Sequence, residues 1–227
     1  MHQYINLYTV IETICFSVSV FCLRKDPHII WRILIAYLFI TCVVEIGTIP
    51  MKEIYNKNPS PKNSNAWVFN ILLLFQISFN SMMFLYLINK HRKGRPLILS
   101  GLFLLFVLYA YEMIFFNKNC VFDYNFITYT VMSIIFVLYS LYYYYLILKS
   151  ELYIELKSSA SFWWVTGSLF FYFGTTAINI YSVVLKKIPA SQTLYMSYIN
   201  NTLIITLYGC WIVSFICKKW TTQRSDN

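Results

Sequence analysis

Charge is what this sequence has least of. Of its 227 residues, 18 are Lys or Arg and 9 are Asp or Glu, so 12% are charged. A soluble domain carries about 25%. Half that supply cannot cover a water-facing surface, which excludes an ordinary soluble domain. The 59% hydrophobic and 20% aromatic content points the same way. Proline is scarce too. All six (Pro27, Pro50, Pro59, Pro61, Pro96, Pro189) fall in spacers or at the ends of apolar segments. No proline-broken helix is therefore available to build an ion site from unwound backbone.

Chemistry-bearing motifs are missing as well. The sequence has no GxSxG, HExxH, P-loop or GxGxxG. The apolar segments contain no Asp and no His, so neither a paired-Asp nor a Ser/His intramembrane protease is expected. His2, His28 and His91 are scattered through ends and loops, and no CxxC occurs, so no metal site and no cofactor are expected. Of the six cysteines only Cys120 lies in an outer spacer, which leaves no pair for an external disulfide. An enzyme is not expected.

What the chain does have is seven apolar runs of about 20 residues. They are Tyr4–Leu23, Ile29–Ile49, Ala66–Ile88, Leu97–Phe116, Tyr124–Leu148, Phe162–Leu185 and Thr193–Cys217. Each can cross a hydrocarbon core of about 30 Å as a helix rising 1.5 Å per residue. The spacers are too short to hold a soluble domain. The expected fold is all-α: one seven-helix transmembrane domain over 1–217 and a short cytoplasmic tail over 218–227. The first run reads as a span rather than a cleaved signal, because Arg24 and Lys25 follow it and no basic residue precedes it.

Net charge is +9. The basic residues sit in short runs between apolar segments and make no face for nucleic acid. With the N-terminus outside, twelve Lys and Arg lie on the inner side and six on the outer. The positive-inside rule then gives an external N-terminus and a cytoplasmic C-terminus. The run Lys90-His91-Arg92-Lys93-Gly94-Arg95 is the strongest single vote. Lys90, Arg92, Lys93 and Arg95 are also the candidate contact for a membrane or cytoplasmic partner. Trp31, Trp67, Trp163, Trp164 and Trp220 lie near segment ends, where amphipathic indoles settle at the membrane interface.

Carboxylates inside lipid are costly and default to function. Glu12, Glu45 and Glu112 lie within the runs, all toward the outer ends. Gln76, Asn80, Asn179, Asn200 and Asn201 share that bias, with threonines beside them on common helix faces. Together they are the candidate lining of an outward-facing polar pocket for a small molecule or cation. Interhelical hydrogen bonding is the structural alternative for the amides and hydroxyls. Gly167 and Gly174, seven apart on one face, read as a close helix contact. The Tyr142–Tyr145 run encircles its helix and reads as interfacial belt and packing. Ser158, Ser159 or Ser161 is the expected cap of the sixth run.

No lysine for a retinal Schiff base occurs in the last run, and the Asp-Arg-Tyr and Asn-Pro-x-x-Tyr motifs of G-protein-coupled receptors are absent. The stretches YTVMSIIFVLYSLYYYYLILKS (129–150) and FWWVTGSLFFYFGTT (162–176) resemble small seven-helix bacterial integral membrane proteins of unassigned function. This resemblance spans about a quarter of the chain and implies a bacterial cytoplasmic membrane, without a mechanism. The leading expectation is a multi-pass receptor-like or sensor-accessory protein. A small transporter or proton/cation-coupled carrier is the first alternative, and a structural partner of another membrane protein the second.

Overall fold

The computed structural model describes residues 7–58, 60, 63–90, 94–116, 122–149, 156–184 and 190–225, and side chains for all of these except 7, 8, 182–184, 190–194 and 222–225. Arg92, Lys93 and Cys120 lie outside the described residues. Among the described residues eight α-helices occur, in chain order: α1 (Leu7–Leu23), α2 (Ile29–Gly47), α3 (Ile49–Lys57), α4 (Ala66–Asn89), α5 (Arg95–Tyr111), α6 (Phe126–Lys149), α7 (Ala160–Val184) and α8 (Ala190–Ser225). No strand occurs among the described residues.

Seven of these helices coincide with the apolar runs. The eighth, α3, is a short helix inside the spacer expected after Ile49. Pro50 sits in its first turn, as Pro96 does in α5, where a missing N–H costs no hydrogen bond. Helix α8 runs on to Ser225 without a break, because nothing after Cys217 is a helix breaker.

Among the described residues five helical stretches are long and apolar enough to cross a membrane: Ile29–Lys57, Ala66–Asn89, Arg95–Phe116, Phe126–Lys149 and Tyr195–Thr221. The apolar helix described in α1, Thr9–Leu23, is shorter. Helix α7 has 25 residues, but Trp, Thr, Ser, Gly and Asn dilute its apolar content. These helices are compatible with a membrane protein.

The packing order closes a ring. Helix α1 touches α2, α2 touches α4, α4 touches α6, α6 touches α7, α7 touches α8, and α8 returns to α1. Helix α5 stands outside this ring against α4 and α6. It buries only Ile98 and Leu105 and turns Phe103, 72% exposed, outward. An apolar face of that kind suits lipid.

Glycine sets the tightest seam. A methyl added to Gly167 would stand 2.8 Å from Cys210 Cβ and 3.0 Å from the Leu207 carbonyl oxygen of α8. One added to Gly174 would strike Leu203, also on α8. Small residues let two helix backbones approach, which lipid-embedded helices use in place of a hydrophobic driving force.

The ring's centre is aromatic. Phe84 of α4 lies 5.7 Å from Phe136 and 5.2 Å from Trp164, ring centre to ring centre. Trp164 stacks on Trp211 at 5.7 Å, and Phe136 meets Tyr172 edge-on at 5.0 Å. Trp31 and Trp164 are therefore core residues, 1% and 0% exposed, and not the interfacial indoles expected. Trp67 and Trp220 are exposed at helix ends. Of the tyrosine run, Tyr143 is buried, Tyr145 is exposed, and the Tyr144 hydroxyl pairs with Thr166 Oγ1 at 2.7 Å. Ser159 is the cap of α7, its hydroxyl oxygen accepting the Phe162 N–H at 3.4 Å.

Candidate functional site

At one end of the ring the centre opens into a cavity of about 400 Å³. The end is that of the α1 N-terminus, the α2 C-terminus and the α4 and α6 N-termini. Its mouth carries Glu45, Asn200, Tyr124 and Phe126, and its depth holds Glu12, Gln76, Tyr37, Tyr172, Leu207 and Trp211. The volume falls within the range of about 300–1,000 Å³ that small-molecule sites occupy.

Each helix presents one face. On α8 the lining residues Asn200, Ile204, Leu207, Tyr208 and Trp211 recur every three or four positions, the period of one helical stripe. Asn201 lies about 100° round the helix from Asn200 and does not line the cavity. On α4 the stripe runs through Phe69, Leu72, Leu73 and Gln76.

Glu12 is 2% exposed and accepts a hydrogen bond from the Tyr208 hydroxyl at 3.0 Å. That bond joins α1 to its ring neighbour α8. Asn179 also lines the space, and its amide donates to Thr130 Oγ1 at 3.2 Å. Asn80 lies one turn below Gln76 and outside the lining. Its amide donates to the Gln76 carbonyl at 2.9 Å and to the Tyr172 hydroxyl at 3.0 Å, so it holds the cavity floor from beneath.

Glu112 does not join Glu12 and Glu45. A π-helical turn, Glu112–Phe116, ends the α5 segment and swings the carboxylate to the α6 N-terminus. There it accepts the Ile127 N–H at 2.8 Å, the Thr128 N–H at 2.7 Å and the Thr128 hydroxyl at 2.7 Å. The first N–H groups of a helix lack partners within it, and a negative charge suits that end. The convergence of three carboxylates is thus corrected to two. The wall beside it is braced by Asn70, whose amide donates to the Asp123 carbonyl at 2.8 Å while its Oδ1 accepts the Asn125 N–H at 3.1 Å.

Several threonines and serines of these helices are satisfied locally. Thr13, Ser133, Ser140 and Thr176 donate to carbonyls one turn back, the usual outlet for a hydroxyl in an apolar helix. The aromatic lining was not anticipated. Its signal was present in the α8 stripe, where Tyr208 and Trp211 continue the face of Asn200.

At the opposite end Asp26, in the α1–α2 connection, pairs with Lys218 of α8 at 3.3 Å, and its other oxygen accepts the His28 N–H at 2.8 Å. Lys218 also lies 5.8 Å from the centre of the Trp31 ring. Lys90 is exposed just after α4 and Arg95 opens α5. Among the described residues no group of three or more His, Cys, Asp or Glu can hold a metal ion. No family model, curated protein or solved structure matches the chain.

Proposed function

We propose that this chain is a seven-span, non-enzymatic receptor-like or sensor-accessory protein whose cavity takes a small molecule from outside the cell. The observation that carries this reading is a cavity lined by carboxylates, amides and aromatic rings at one end of the ring, over a filled aromatic centre. Tyr37, Tyr172 and Trp211 form its floor, and Phe84, Phe136 and Trp164 continue the packing beneath. A carrier needs a polar path to both sides, and the apolar packing favours a site that binds and reports. The twelve-to-six distribution of basic residues supports an outward mouth. The resemblance of 129–150 and 162–176 to bacterial membrane proteins supports the bacterial cytoplasmic membrane. No inner connection is large enough to signal alone. The occupied state is handed to a membrane or cytoplasmic partner through Lys90, Arg92, Lys93 and Arg95.

Two measurements test this. A membrane-impermeant maleimide on intact cells labels Glu45→Cys and Asn200→Cys above the unsubstituted protein, and leaves Ser214→Cys unlabelled. Labelling of Glu45→Cys only after permeabilisation refutes the outward mouth. Liposomes carrying the protein stay tight to labelled small amines, amino acids and sugars; uptake abolished by Glu12→Gln makes the protein a carrier.

A further inference from the structure

The charge inside the cavity is one-sided. Glu12 and Glu45 both line it, and among the described residues no Lys, Arg or His does. Among the described residues the ion pair is the distant Lys218–Asp26, and neither cavity glutamate forms one. Lys52, exposed on α3, is the basic residue whose field reaches Glu45. Glu12 receives the Tyr208 hydroxyl and has the Thr41 hydroxyl beside it, but neutral hydrogen bonds only partly offset removing a carboxylate from water. A mobile cation would complete the arrangement.

The remaining walls say what kind of cation. Tyr37, Phe171, Tyr172 and Trp211 present aromatic surface beside the carboxylates. Aromatic faces attract ammonium groups and bury apolar carbon. A bare divalent ion needs about six or more oxygen ligands converging on one point, and among the described residues no group of three or more His, Cys, Asp or Glu could hold one. An anion would be repelled by both.

We propose that the cavity binds a small organic cation: an amine whose ammonium lies against Glu12 and Glu45 and whose apolar body lies against Tyr37, Phe171, Tyr172 and Trp211. This rests on the pocket reading above and names the ligand class for it. Glu45 at the mouth draws the charge in, Glu12 at depth holds it, and Gln76 and Asn179 take the polar substituents.

The test is calorimetric titration of the full chain in lipid nanodiscs, with empty nanodiscs subtracted. Three probes share a phenyl ring and a short arm: phenethylamine, 2-phenylethanol and phenylacetate. Phenethylamine is expected to bind saturably and at least tenfold more tightly than either analogue. Glu12→Gln lowers its affinity at least tenfold and leaves 2-phenylethanol unchanged. Glu45→Gln lowers it as well and serves if the Glu12 variant fails to fold. Tyr208→Phe keeps the preference for the amine, because the charge remains. Equal binding of the alcohol or the carboxylate, lost when Leu207→Trp fills the cavity, overturns the cation while the pocket stands. Saturable binding of none of the three also overturns the cation, and the maleimide experiment then judges the pocket by itself.

Discussion

Glu12 and Glu112 carry the same side chain in opposite surroundings. Glu12 faces a cavity with the Tyr208 and Thr41 hydroxyls beside it; Glu112 is closed in by two backbone N–H groups and a hydroxyl. Their substitutions should therefore separate. Glu112→Ala frees two N–H groups at a buried helix start and is expected to destabilise the protein by about 1–3 kcal/mol. Hydrogen exchange at Ile127 and Thr128 should rise while cavity binding is kept. Unchanged exchange there would remove its capping role. Glu12→Gln should do the reverse, weakening cation binding with little loss of thermal stability. The Asp26–Lys218 pair makes a third case. Their side chains are 2% and 15% exposed, so removing either partner takes the opposite charge away from a largely buried group. Asp26→Asn or Lys218→Met should each cost about 2 kcal/mol, and the double variant little more than either. Additive losses in a double-mutant cycle would show the two groups to be uncoupled. None of these fates was legible in the one-dimensional pattern, which marks a carboxylate as buried and is silent on its partners.

Helices α7 and α8 show how far an element can be read. Gly167 and Gly174 mark a contact face from spacing alone, and α8 fills it. The two glycines differ in what they meet. At Gly167 the obstacles are the Cys210 Cβ and a backbone oxygen, which cannot yield; at Gly174 it is the end of a leucine side chain, which can. Gly167→Ala is therefore expected to cost about 1–3 kcal/mol, and Gly174→Ala clearly less, in detergent melting of the purified protein. Equal losses would mean that α7 and α8 slide to accommodate both. The π-helical turn at Glu112–Phe116 had no signature in the sequence. Its cause is tertiary: the added backbone lets a residue near the end of the α5 segment reach the start of α6. Helix α3 was missed for a different reason. Its nine residues carry Lys52, Glu53 and Lys57, so no long apolar run announces it.

For the whole molecule, the prediction concerns permeation. A ring of six helices with a filled aromatic centre should hold liposomes tight. Opening it with Phe84→Ala and Trp164→Ala together should admit small cations if the cavity floor is the barrier. Tightness in that double variant, with the fold retained by circular dichroism, would place the barrier elsewhere. The positions of the helices and the end at which polar groups gather were determined by the amino-acid sequence alone, because apolar run length and charge at run ends are properties of one segment at a time. Which of those groups share a space was decided only by the tertiary structure. In a water-soluble bundle the apolar stripe of each helix reveals its inward face. Here the outward and inward faces are both apolar, so hydropathy is nearly uniform round each helix and its rotation is hidden. Close contact at Gly167 and the interlocking rings of Phe84, Phe136, Trp164 and Trp211 set that rotation, turning Glu12 and Glu45 into one cavity and Glu112 away from it.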